Sequence, residues 1–85
     1  MATTTLRVTR GGAPAVGSQV ILGYARENDT VGAFVGNTDA QGEIVKTVPL
    51  GFKAVAFGMI EHPDGQQVGV SGLIFNANQV TNWNT

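Results

Sequence analysis

Asn37 to Met59, NTDAQGEIVKTVPLGFKAVAFGM, reads as a turn, a strand, a second turn and a second strand in one uninterrupted run. In Thr38-Asp39-Ala40-Gln41-Gly42 the Asp39 carboxylate can accept from backbone N–H groups two residues on, and Gly42 stands where the chain needs positive φ. Glu43 to Val48 reads as a short strand. Val48-Pro49-Leu50-Gly51 ends it, because proline cannot donate to a ladder and glycine permits the reversal. Phe52 to Ile60 follows as a second strand, with Val55, Phe57 and Met59 on one face and Phe52, Ala54, Ala56, Gly58 and Ile60 on the other. The segment predicts a hairpin.

Upstream of this unit, Thr4 to Thr9 alternates cleanly, with Leu6 and Val8 opposite Thr5, Arg7 and Thr9, as a half-buried first strand does. Arg10 to Gly17, RGGAPAVG, is too rich in glycine and proline for anything but a loop. Ser18 to Tyr24 predicts another strand, apolar on both faces, and Val31 to Gly36 the next. Between them Arg26-Glu27-Asn28-Asp29-Thr30 reads as a solvated turn. Downstream, His62-Pro63-Asp64-Gly65 has the residues of a tight turn. Gln66 to Phe75 and Gln79 to Trp83 complete the strands, the last as an edge. No window of eleven or more residues shows helical spacing, and there is no linker, repeat or low-complexity tract. About seven strands at regular spacing predict one all-β domain over residues 1–85, an antiparallel sandwich, with a small closed or partly open barrel as the alternative.

Charged residues make up only 13% of the chain, about half the usual ~25%. Thr, Asn, Gln and Ser must therefore supply the polar surface. A net charge of −1, with Arg7, Arg10, Arg26, Lys46 and Lys53 scattered, gives no footprint for nucleic acid or an anionic membrane. The Met-Ala-Thr-Thr-Thr start lacks the basic and apolar regions of a secretory signal, and no window approaches a membrane helix. The expectation is a cytoplasmic or virion protein with no membrane insertion. With no cysteine and no evident metal to staple it, so short a chain must bury apolar area efficiently or share a surface.

Val8 to Leu22, VTRGGAPAVGSQVIL, resembles the opening of carboxypeptidase-regulatory-like and transthyretin-like (prealbumin-like) domains, which run strand, Gly-x-Pro loop, small residues, alternating strand. Thr38-Asp39-Ala40-Gln41-Gly42-Glu43-Ile44 and Val48-Pro49-Leu50-Gly51 resemble the next two signatures in the same order, so the resemblance covers roughly residues 4 to 60. It implies a seven-stranded sandwich of immunoglobulin/transthyretin-like type, usually an accessory, surface or adhesion module. Two positions depart from the family pattern. Lys53 stands where an aromatic is usual, with Phe52 one earlier, and Lys46 stands where an inward apolar residue is expected; both are expected to snorkel or to mark a local change of register. The enzymes of this fold, hydroxyisourate hydrolases, use paired histidines, an arginine and a tyrosine-rich terminal motif, whereas this chain has one histidine and ends Asn-Trp-Asn-Thr.

The remaining chemistry is sparse. His62 beside Glu61 and Asp64 could suggest a metal site or a base, but with no second His and no Cys the plainer reading is a histidine on a surface turn. Ser18 and Ser71 have no evident partner base. Asp29, Asp39 and Asp64 lack the dense spacing of a calcium loop. Asn28-Asp29-Thr30 fits a glycosylation acceptor with no secretion signal to support it. No catalytic residue, metal site or cofactor is expected. A glycan could be held by Trp83 with Asn78, Asn82 and Asn84, an aromatic face and amides being what sugars ask for; the plainer reading puts Trp83 in the core or against a subunit.

Glycine is twice as frequent as usual, at 12 of 85 residues against about 7%. Gly23, Gly32, Gly36, Gly58, Gly69 and Gly72 fall inside strands, where each weakens the ladder unless a bulge or a close backbone neighbour requires it. Val20 to Leu22, Val55 to Ile60 and Leu73 to Phe75 are apolar on both faces, whereas a strand with one wet face alternates. These features predict a homo-oligomer or a subunit of a larger assembly, such as a phage particle, appendage or surface complex. Ile21, Gly23, Phe34, Gly58, Ile60, Leu73 and Phe75 are the candidate interface.

Overall fold

The computed structural model describes all 85 residues as strands and turns, with no helix and so none long and apolar enough to cross a membrane. The strands are β1 (Ala2–Arg10), β2 (Ala13–Pro14), β3 (Gln19–Arg26), β4 (Val31–Asn37), β5 (Glu43–Val48), β6 (Lys53–Glu61), β7 (Gln67–Asn76) and β8 (Val80–Asn84). They form two four-stranded sheets that do not close into a barrel. In the first, β1 is central: β5 pairs antiparallel along Ala2 to Arg7, and β8 pairs parallel along Thr5 to Thr9. The two-residue β2, inside the segment expected to be all loop, folds back on Thr9 and Arg10. In the second, β4-β3-β6-β7 run antiparallel in that order.

The all-β sandwich is as expected, but two connections differ from the sequence reading. The β1·β8 pair is parallel, in a sandwich expected to be antiparallel throughout. β5 and β6 are not a hairpin: β5 pairs with β1, and β6 with β3 and β7. The Val48-Pro49-Leu50-Gly51 turn instead carries the chain from one sheet to the other. Val48 and Phe52, buried on either side of it, anchor the corner, and the Phe52 amide donates to Pro49 O at 3.2 Å. Alternation identifies strands and their faces but is silent about partners. The Asp39 turn makes the crossing from β4 to β5 and works as its residues predict: Asp39 Oδ1 accepts from the amides of Gln41 and Glu43, each at 2.9 Å.

The core lies between the sheets. Leu6, Val8, Val48 and Trp83 from the first meet Val20, Leu22, Phe34, Phe52, Ile60 and Phe75 from the second. On β6 the inward residues before Ile60 are small, Ala54, Ala56 and Gly58, which leaves room for Phe34 of β4 and Phe75 of β7 to stack above them at 5.0 Å. Tyr24 packs edge-on against Phe52 at 5.5 Å, and the Arg26 guanidinium covers the same ring at 5.0 Å. Lys46 is inward-facing and half-buried; its ammonium snorkels to Ala33 O at 3.4 Å, over the Phe34 ring. Lys53 points outward, so Phe52 takes the buried place at the start of β6.

Two glycines are structural necessities. A Cβ on Gly58 (φ 153°) would lie 2.2 Å from Ile21 O, so only glycine lets β6 approach β3 this closely. Gly72 (φ 83°) is the extra residue of a bulge: Ala56 pairs with Leu73 and Phe57 with Ser71. The bulge switches the phase of β7, so that Val68 and Val70 point inward before it and Leu73 and Phe75 after it.

Candidate interaction face and a closed serine–histidine cluster

Strand register sets the outer face of the β4-β3-β6-β7 sheet. Across the four strands it reads, row by row, Val35–Ile21–Met59–Gly69, then Ala33–Gly23–Phe57–Ser71, then Val31–Ala25–Val55–Ile74. Ser71 is the one polar residue among them, and no charge interrupts the block. Val31 is 75% exposed, Phe57 60%, Val35 59% and Ile74 49%, so the side chains stand in solvent with nothing over them. The Phe57 ring lies across Gly23, within 3.6 Å of where a Cβ would be, and so fills that gap within its own sheet. Polar rows close the block at both ends. Asn37–Gln19–Glu61–Gln67 stands at one end, and Lys53–Asn76 at the other. Lys53 is loosely paired with Glu27, at 3.8 Å.

Of the residues expected at an interface, Ile21 and Gly23 belong to this face. Phe34, Ile60 and Phe75 do not: they are 2%, 0% and 1% exposed and make the core. Leu73 is half-buried against that core, and Gly58 is on the inward side. In these strands both faces are apolar, so alternation sorts residues into two sets without saying which set is inside. On β6 the set of larger side chains, Val55, Phe57 and Met59, is the outer one. The signal lay in the size of the opposite set, since two alanines and a glycine suit the inside of a strand crossed by stacked rings.

The second feature was not expected from the sequence. His62 is buried, 2% exposed, instead of standing on a surface turn, and Ser18, 0% exposed, is its partner. Ser18 Oγ lies 2.8 Å from His62 Nδ1, and His62 Nε2 lies 3.0 Å from Thr85 Oγ1. The Thr85 hydroxyl donates to Thr9 O at 2.7 Å, so it accepts from Nε2–H. That leaves Nδ1 as the acceptor for the Ser18 hydroxyl and assigns the Nε2–H tautomer. Base-activated nucleophiles share this arrangement; here both side chains are buried. Ser18 has no exposed surface, its amide donates to Thr38 Oγ1, and the Gly17 amide donates to Thr38 O. The cluster is a buried fastening between the 15–18 loop, the β6–β7 turn and the end of the chain.

A cleft of about 300 Å³, bordered by Arg10, Val16 and Asp64, has Ser18 and His62 in its lining. Arg10 pairs with Asp64 at 2.7 Å, and its hydrogen bond, helped by the Gln66 amide, holds the Asp64 carboxyl below its ordinary value of 3.8. No three His, Asp or Glu side chains converge as metal ligands would.

The proposed sugar-binding group is dispersed. Trp83 is 6% exposed and packs inward beside Val8, because β8 runs parallel to β1 in the register that places the two together. Its ring is therefore not a platform for a pyranose. Asn82 and Asn84 point out on the opposite face of β8, and Asn84 Oδ1 accepts from the Thr9 hydroxyl at 2.6 Å. Asn78 sits in the β7–β8 turn at φ 63°. Comparison of the chain with family models, with curated proteins and with solved structures finds no match.

Proposed function

We propose that this chain is a non-catalytic structural or interaction module that docks onto a protein surface through the outer face of the β4-β3-β6-β7 sheet. The uninterrupted apolar block on that face carries the reading. At about 4.8 Å between strands and 3.3 Å per residue, three rows across four strands cover roughly 400 Å² in projection. Soluble monomers rarely expose an apolar patch much larger than this, and functional interfaces commonly do. Removing it from water would contribute on the order of 10 kcal/mol before the costs of association. The resemblance of residues 4 to 60 to accessory and adhesion domains points the same way. With Trp83 buried, nothing favours the glycan-binding reading.

Hydroxyl-radical footprinting of the assembly as isolated from its source tests the proposal. Phe57 and Met59 should be protected, while Val45, exposed on the other sheet, is labelled. Equal labelling of all three would remove the proposal.

A further inference from the structure

We infer that the occupant of this face is a second copy of the chain, packed face to face about a two-fold axis that lies across the strands along the Ala33–Gly23–Phe57–Ser71 row. The inference rests on the docking role proposed above and adds the partner and its orientation. Three observations favour it.

The first is area. With the polar end rows included, the outer face spans roughly 19 Å by 30 Å, or about 570 Å² per copy and about 1,100 Å² for two. That is just above the ~1,000 Å² that separates stable interfaces from adventitious ones.

The second is charge. The β6 outer row runs from Lys53 at one end to Glu61 at the other, with Val55, Phe57 and Met59 between. A two-fold across the strands reverses this row on the facing copy, so Lys53 meets the partner's Glu61 twice in the dimer. A two-fold along β6 would instead set Lys53 on the partner's Lys53 and Glu61 on the partner's Glu61, like charges that oppose association.

The third is shape. Reversal places Ile74 over the partner's Gly69 and Ile21 over the partner's Ala25, large side chain against small, with Phe57 against the partner's Phe57 at the centre. A two-fold between β3 and β6 would need Phe57 to enter the partner's Gly23. That hollow is already filled by the Phe57 of its own chain.

Sedimentation equilibrium from about 1 to 300 μM, with far-UV circular dichroism of every variant, tests the inference. The wild type should give twice the mass of one chain. Phe57→Asp should weaken association by at least about 100-fold while remaining folded, as a central aromatic anchor does; Val35→Asp, on the edge strand β4, serves if Phe57→Asp fails to fold. Lys53→Glu and Glu61→Lys should each weaken the dimer by on the order of 5- to 10-fold, and the double exchange should restore it to within about twofold. A wild type that stays monomeric at 300 μM overturns the second copy; if the footprint still protects Phe57 in the native assembly, the docking role survives with a different partner. A dimer that persists in both aspartate variants overturns the face. A double exchange that fails to restore association overturns the orientation.

Discussion

The two sheets have outer faces of opposite character, though each is built from four strands. On the first sheet the outward residues are Thr3, Thr5, Arg7 and Thr9 of β1, Glu43, Val45 and Thr47 of β5, and Val80, Asn82 and Asn84 of β8. Arg7 and Glu43 pair across the strands at 2.7 Å, and Thr9 with Asn84 at 2.6 Å. This face is content in water. On the second sheet the three central rows hold valine, isoleucine, phenylalanine, methionine, alanine and glycine, with Ser71 the one polar residue. A chain with so few charges has placed Thr3, Thr5, Thr9, Thr47, Asn82 and Asn84 over one sheet and left the middle of the other bare.

The comparison can be broken by exchanging the character of the faces. Ile21→Asp combined with Val55→Asp on the apolar sheet should reduce association by on the order of a thousandfold, while Thr5→Asp with Thr47→Asp on the polar sheet should change it less than about twofold. Sedimentation of the two double variants decides; equal effects would mean that the contrast has no functional weight. The next effect concerns how closely the strands of the bare sheet approach. Gly58→Ala forces a Cβ against Ile21 O and should destabilise the domain by about 3 kcal/mol in urea denaturation.

A smaller and opposite change separates the inside of β1 from its outside. Thr4 is fully buried and its hydroxyl has no partner, whereas Thr5 faces out. Thr4→Val should stabilise by about 1 kcal/mol, since it removes an unmet polar group of the same shape, and Thr5→Val should be neutral within about 0.5 kcal/mol. The smallest effect is electrostatic. Because the folded carboxyl of Asp64 titrates below its ordinary value, its pairing with Arg10 stabilises the fold above that value and is lost as the pH falls through the lowered one. Arg10→Gln should raise the Asp64 titration midpoint towards 3.8, as carboxyl NMR would follow, and flatten the acid limb of the stability curve.

The strands were legible because alternation and turn chemistry are local. Asp39, Pro49 with Gly51, and Pro63-Asp64-Gly65 punctuate the chain where the strands end. What was not legible depends on distant neighbours. Nothing in VPLG distinguishes a hairpin from a crossing between sheets; that is decided by β1 offering an edge to β5. Phe34, Ile60 and Phe75 looked eligible for an interface because apolar residues on both faces hide which face is inside. The Gly72 bulge then shifts the phase of β7, so the pattern does not run through it unchanged. His62 looked like a turn residue and is one, yet its ring reaches Ser18, 44 positions earlier, and Thr85, 23 later. No spacing rule anticipates that meeting.

The parallel alliance of β1 with β8 also bears on how the molecule comes into being. Thr9 and Asn84, bonded side chain to side chain, stand 75 positions apart, so one edge of β1 stays vacant until β8 reaches it. Closing so long a loop is entropically slow. During that wait the β4-β3-β6-β7 meander, whose neighbours are adjacent in sequence except across one crossing, can already assemble. A folding molecule would thus display its bare sheet before its first sheet is sealed.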